Sequence, residues 1–190
     1  MSQAYTTTEK DDDFDRIEVI FTAPQIKRKL RVLAKKIAST ALRDVIVISI
    51  MKGSFIFTAD LIRELHVAGL PLQVDFMSLS SYHSGTQSTG HVKLIYDINV
   101  DVTDCDVILV DDILQSGRTL HYAKKLITER NARKILTCVL LNKPVQRAVP
   151  IEADFIGFEC PADLFVVGYG LDKAFKYRQL PFIGYISTDH

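Results

Sequence analysis

The stretch VILVDDILQSGRT, Val107 to Thr119, constrains this chain more than any other. An apolar β-branched run ends in two adjacent carboxylates, Asp111 and Asp112. A small-residue loop with Ser116, Gly117 and Thr119 follows, and the helical pattern LHYAKKLITER begins at once. A buried strand with acids at its carboxyl end and a loop feeding a helix start describe a place to hold a sugar phosphate. Backbone N–H groups at a helix start attract a phosphate dianion, and neighbouring acids accept from ribose hydroxyls or face a metal ion. The plainer alternative is that the acids only close the strand and cap the helix. Other phosphate loops are excluded by spacing: there is no G-x-x-x-x-G-K-[ST], and no G-x-G-x-x-G follows a strand.

The rest of the chain repeats the strand–helix rhythm. Arg16–Phe21 reads as a short strand. A helix follows from Ala23 to about Ala41, with Pro24 in its first turn and Ile26, Leu30, Leu33, Ile37 and Ala41 at helical spacing. Val45–Ile50 is continuous and β-branched, as in a strand covered on both faces. Met51–Ser54 is a tight loop before a helix that ends near Gly69, and Leu72–Leu79 is the next strand. Ser80–His91 is polar with no apolar period and reads as a long mobile loop before a strand over Val92–Ile98. Asp106–Val110, Thr119–Arg130 and Lys134–Leu141 complete the pattern as strand, helix and strand. Such alternation predicts an α/β fold with a twisted, mainly parallel sheet flanked by helices. In open sheets of this kind ligands sit beyond the carboxyl ends of the strands. Three loops fall there: Met51–Ser54, Asp111–Thr119 and Asn142-Lys143. That convergence favours a binding site over mere capping.

With 190 residues the chain suits one domain. Residues 1–14 are polar and read as a mobile tail, leaving 15–190 as the domain. The N-terminus lacks the basic and apolar parts of a signal peptide, and no apolar run reaches membrane-spanning length. Lys plus Arg balances Asp plus Glu at 23 each, which argues against nucleic-acid or membrane surfaces as partners. Cys105, Cys138 and Cys160 are widely spaced and suit reduced thiols in a cytoplasmic protein.

Val107–Thr119 resembles the phosphoribosyl-diphosphate motif of the type I phosphoribosyltransferases. Together with IMKGSFIFTADL, SSYHSGTQSTGHVK and the segment Asp154–Ile186, it makes residues 15–188 similar to the hypoxanthine and hypoxanthine-guanine phosphoribosyltransferases. The resemblance implies the type I phosphoribosyltransferase fold. Its small hood subdomain would come mainly from about 155–190, with part of the N-terminal strand region. It implies a purine salvage enzyme that moves the 5-phosphoribosyl group of phosphoribosyl diphosphate to N9 of hypoxanthine, and of guanine, giving IMP or GMP and pyrophosphate, with Mg²⁺. A homodimer or homotetramer is implied, and the apolar residues near Phe55–Leu61 offer an interface. A nucleotide-binding regulator on the same fold, with weak or no catalysis, is the competing class.

The resemblance also assigns roles. Gln115, Ser116, Gly117, Arg118 and Thr119 would hold the 5′-phosphate, and Asp111 and Asp112 the ribose and metal side. Met51, Lys52 and Gly53 would form the pyrophosphate loop, with a cis peptide before the Lys, and Arg178 would reach the pyrophosphate. Phe165 would stack on the purine, Lys143 would donate to its 6-oxygen, and backbone carbonyls near Val166 and Asp172 would accept from the guanine 2-amino group. Asp172 would contact the metal alongside Asp111 and Asp112, and Ser81 and Tyr82 would sit on a catalytic lid. One position departs from the pattern: Gln115 stands where the family typically has an Asp that manages the proton at purine N7. An amide cannot take that proton, although it can donate or accept a hydrogen bond there.

Overall fold

The computed structural model describes residues 16–84, 87–144 and 147–187, the side chains of 81–91 excepted. The expected tail at 1–14 lies outside them. The elements are β1 (Ile17–Phe21), α1 (Ala23–Ala38), β2 (Val45–Met51), α2 (Phe55–Val67), β3 (Leu72–Ser84), β4 (Gln87–Tyr96), β5 (Asp106–Leu114), α3 (Arg118–Thr128), β6 (Lys134–Asn142), β7 (Phe155–Glu159), β8 (Val166–Val167) and β9 (Ile183–Ile186). One sheet has six strands in the order β4-β3-β2-β5-β6-β7, and a second has the order β1-β9-β8. In the large sheet only β4 runs antiparallel to its neighbour. The expected α/β class with a mainly parallel sheet is therefore what the chain adopts.

Apolar alternation along the central strands explains the layers. Val45, Val47, Ile108, Val110, Cys138 and Leu140 pack with α1 and α2. Ile46, Ile48, Leu109 and Val139, the residues between them, pack with Leu120, Ala123 and Ile127 of α3. Strands buried on both faces read as unbroken apolar runs, because each face needs its own residue set. α1 starts at Thr22, whose N–H donates to Gln25 Oε1 at 2.8 Å, and Pro24 fits a first turn that needs no donor. It stops at Ala38, earlier than expected. There Ser39 Oγ donates to Lys36 O and Thr40 Oγ1 to Ile37 O, taking up carbonyls the helix leaves open. No helix of the described residues is long and apolar enough to cross a membrane.

Four further expectations are corrected. Ser80–His91, expected as a loop, is largely an antiparallel ribbon that pairs Ser81 with Val92 and His83 with Ser88. β5 does not end at Val110; it continues past both acids to Leu114, pairing Asp111 with Val139 and Ile113 with Leu141 of β6. β7 belongs to the large sheet, so the C-terminal share of the small sheet starts beyond residue 159 and not at about 155. Finally, the part of Phe55–Leu61 open to an interface is narrower than the whole run: Phe57, Thr58 and Leu61 are buried, Phe55 is exposed, and Ile56, Ala59 and Asp60 are partly exposed.

Candidate active site

The carboxyl ends of β2, β5 and β6 bring the suspect loops together. β5 delivers Asp111 and Asp112 side by side, and the chain then turns through Gln115 and Ser116 to Gly117. Gly117 is the residue before α3, in a left-handed conformation (φ 79°) that glycine adopts without strain. A Cβ there would lie 2.6 Å from Ile151 Cγ2, so the turn is also closed sterically. The Ser116 carbonyl accepts from Ala148 N–H at 3.0 Å, which fastens the loop from below. The start of α3 borders a cleft, with Gly117, Thr119 and Leu120 in its lining.

Two small clefts meet here. One, of about 170 Å³, is lined by Asp111, Gln115, Ser116, Gly117 and Thr119, over an apolar floor of Leu114 and Leu120. The other, of about 210 Å³, is lined by Asp112, Gln115, Lys143, Phe165, Val166 and Asp172, with Leu171. Ile113 and Gln115 line both. The first cleft has the amides, hydroxyls and helix start that suit a phosphate. The second has an aromatic face, an ammonium and apolar walls that suit a flat polar ring.

Individual geometry sharpens this. Phe165 is 56% exposed, so its ring is offered to the cleft and does not belong to the core. Lys143 is buried, and its Nζ donates to Leu164 O at 2.7 Å. Asp172 accepts from Arg178 Nη2 at 2.8 Å through one oxygen and from Phe175 N–H at 2.8 Å through the other. Arg178 also donates to Gly170 O at 2.6 Å. Arg118, the first residue of α3, places its N–H 3.4 Å from Ser116 Oγ.

The loop at the end of β2 packs tightly against the acids. The peptide between Met51 and Lys52 is cis, the geometry the resemblance implies. A Cβ on Gly53 would lie 1.5 Å from Asp112 Oδ2, and one on Gly170 would lie 2.2 Å from Gly53 O. The Asp112 side chain, the 51–53 loop and the 168–172 loop are thus packed one against the next. Lys52 extends outward, with Nζ 5.6 Å from the centre of the Phe175 ring.

Electrostatics single out the acid pair. Burial holds the Asp111 carboxyl well above the usual carboxylate range, and the adjacent Asp112 charge adds to this. Burial raises Asp112 as well, opposed by the Ile113 N–H, which donates to it at 2.7 Å, and by the positive charge of Arg178. Two desolvated carboxyls side by side are a place where a cation is favoured.

Of the residues singled out from sequence, Asp111, Asp112, Gln115, Ser116, Gly117, Thr119, Lys143, Phe165, Val166 and Asp172 line the joined clefts. Gly53 meets Asp112 and Arg178 meets Asp172 at the edge of the second cleft, while Met51 and Lys52 belong to the same loop as Gly53 but line neither cleft. The side chains of Ser81 and Tyr82 lie outside the described residues; their backbone is in β3. Sequence reading missed Ile113, Leu171 and Gly170. An apolar residue at a strand end looks like core, and Gly170 signals only through its left-handed φ of 102°.

Comparison with known proteins now has a geometry to meet. The phosphoribosyl transferase domain family matches residues 17–174. Hypoxanthine phosphoribosyltransferase of Escherichia coli K12 is 40% identical over 171 residues, 88% of this chain and 94% of that protein. The bifunctional protein TilS/HprT of Listeria innocua is 41% identical over 173 residues, but the chain spans only 26% of its length. A Trypanosoma cruzi hypoxanthine phosphoribosyltransferase, solved in complex with the product IMP, superposes with a TM-score of 0.83 at 32% identity, covering 95% of this chain and 98% of that one. The chain belongs to the phosphoribosyltransferases and, within them, to the hypoxanthine phosphoribosyltransferase family.

Proposed function

We propose that this protein transfers the 5-phosphoribosyl group of phosphoribosyl diphosphate to N9 of hypoxanthine, and of guanine, releasing IMP or GMP and pyrophosphate in purine salvage. The observation that carries this is the pair of clefts joined at Ile113 and Gln115. A nucleoside monophosphate needs one pocket for a phosphate and one for a base, with a ribose between, and the acid pair lies in that position.

On this reading the 5′-phosphate rests on the amides and hydroxyls of Ser116 to Thr119, with Arg118 beside it, and Asp111 and Asp112 face the ribose hydroxyls. The base lies against Phe165, a contact worth about 1–3 kcal/mol by analogy with base stacking. Lys143, held by the Leu164 carbonyl through one N–H, offers another to the purine 6-oxygen. Adenine would present N–H to an ammonium there and is rejected. Carbonyls near Val166 and Asp172 receive a 2-amino group. As the C1′–O bond to pyrophosphate breaks and C1′–N9 forms, positive charge develops on the sugar. Met51, Lys52, Gly53 and Arg178 hold the departing anion, and Ser81 and Tyr82 are assigned to the lid that excludes water. Gln115 orients N7 through its amide, so the base's proton leaves by another route, through water or by ionisation of the base before attack.

Mg²⁺ fits the residues present. The donors are carboxylate oxygens on Asp111, Asp112 and Asp172, hard ligands suited to it. Among the described residues no group of three or more His, Cys, Asp or Glu is placed to hold a metal by itself, so on this reading the diphosphate and water would have to supply further oxygens. When bound, the ion would neutralise charge on the diphosphate. Cys105, Cys138 and Cys160 are free thiols, in keeping with a reducing cytoplasm. A homodimer or homotetramer completes the reading, with Phe55 left as the exposed ring of the apolar run.

The test is incubation with hypoxanthine, phosphoribosyl diphosphate and Mg²⁺, following IMP and pyrophosphate together. Equal formation of both is expected. Tight IMP binding with no turnover would replace the enzyme by a nucleotide-binding regulator in which Gln115 has silenced the chemistry.

A further inference from the structure

Beneath the 51–53 loop lie three hydroxyls that the chemistry above does not use. Ser49, near the end of β2, Ser54, in the loop, and Thr58, in the first turns of α2, are 0%, 0% and 1% exposed. Ser49 Oγ lies 2.8 Å from Ser54 Oγ and 2.8 Å from Thr58 Oγ1. Ser54 Oγ lies 2.5 Å from Ile50 O.

Proton counting gives this cluster a direction. A carbonyl only accepts, so the single Ser54 proton goes to Ile50 O. Ser54 therefore accepts from Ser49, whose proton is then used, and Ser49 accepts from Thr58. The chain runs one way, from Thr58 through Ser49 and Ser54 to the Ile50 carbonyl, and every hydroxyl proton has an acceptor. Its last bond joins the residues on either side of Met51, Lys52 and Gly53. The Phe55 N–H to Lys52 O bond, 3.2 Å, closes the same turn from the helix side.

The loop has little room for error. Gly53 sits between Asp112, whose Oδ2 leaves no space for a Cβ, and Gly170, which touches the Gly53 carbonyl. A loop free to shift by a fraction of an ångström would collide with one or withdraw from the other. Apolar residues at 49, 54 and 58 would fill the space as well but would leave the Ile50 carbonyl and the loop without a tether.

We propose that Ser54, Ser49 and Thr58 are positioning residues for the pyrophosphate end of the substrate. Their directional hydroxyl chain fixes the 51–53 loop where it can receive that group. The proposal rests on the reading that residues 51–53 hold pyrophosphate. It predicts an order, because the bond nearest the loop matters most: Ser54→Ala first, Ser49→Ala second, Thr58→Val third.

The experiment titrates Mg²⁺-pyrophosphate and IMP separately into the intact protein and each variant by calorimetry, alongside steady-state kinetics. Ser54→Ala is expected to weaken pyrophosphate binding and raise the KM for phosphoribosyl diphosphate about tenfold, the loss of roughly one buried hydrogen bond. IMP, which carries no pyrophosphate, should bind as before. Thr58→Ser, which keeps the hydroxyl, should match the parent where Thr58→Val does not. If Ser54→Ala fails to fold, the Thr58 pair decides. Pyrophosphate affinity unchanged across the series, or IMP weakened in proportion, would overturn the proposal. Absence of turnover in the unaltered protein would instead overturn the functional reading, while the calorimetric comparison would still decide the role of the hydroxyls.

Discussion

Phe165, Gln115 and Gly53 each carry a consequence at the scale of one side chain. Phe165 is more than half exposed, so Phe165→Ala should cost roughly 1–3 kcal/mol of base affinity with almost no change in melting temperature. A large drop in Tm would show a core residue. Gln115→Asp should raise kcat by about 10²-fold, the usual worth of a placed acid–base group, with little change in the KM for phosphoribosyl diphosphate. An unchanged kcat counts against the N7 role. Gly53→Ala should weaken pyrophosphate and IMP binding alike, because the new methyl would overlap Asp112 Oδ2 and displace the acid assigned to the ribose. At this scale the sequence was legible where chemistry is unusual, as in the acid pair and the Ser116–Thr119 loop. Lys143 and Phe165 were legible only through family resemblance, since a lone Lys after a strand and a lone Phe have no distinctive pattern. Ile113 and Leu171 were not legible, because apolar residues announce burial and not which cavity they border.

At the scale of elements the helices and central strands follow from apolar periodicity, and their boundaries do not. α1 packs Ile26, Leu30, Leu33 and Ile37 inward as their spacing requires. Its end is set by Ser39 and Thr40, whose hydroxyls serve the last carbonyls, and Ala41 falls outside. Only the outer part of the β3–β4 ribbon escaped notice, and for a physical reason: it pairs through backbone bonds, with no apolar alternation in its sequence. The continuation of β5 through Asp111 and Asp112 was hidden in the same way, since acids are poor strand formers and are held here by pairing with β6. α2 offers a test of the core. Leu61 is fully buried, so Leu61→Ala should destabilise the fold by about 2–5 kcal/mol in urea unfolding, far more than Val67→Ala on the same helix, whose side chain is 79% exposed.

Across the whole molecule the acid pair sets a pH dependence. Unfolded, Asp111 ionises near 3.8; folded, it ionises well above that value. A group raised on folding gives its full stabilisation below the unfolded value and loses it as pH rises through the folded one. Asp111's contribution to the melting temperature of the metal-free protein should therefore fall as pH rises from about 4 toward neutrality, while Asp75 and Asp97, lowered on folding, contribute in the opposite direction. The difference in melting temperature between Asp111→Asn and the parent should change with pH accordingly, and parallel curves would show that Asp111 contributes no pH dependence. The same architecture has an implication for which base is admitted. Lys143 already has an acceptor in the Leu164 carbonyl, one residue before the Phe165 ring. That bond uses one of the three N–H donors of the ammonium, so a 6-oxopurine meets a donor already aimed and held by its own backbone. A guest with no oxygen to offer would leave the remaining N–H groups of a buried ammonium without an acceptor, and would be turned away on that account.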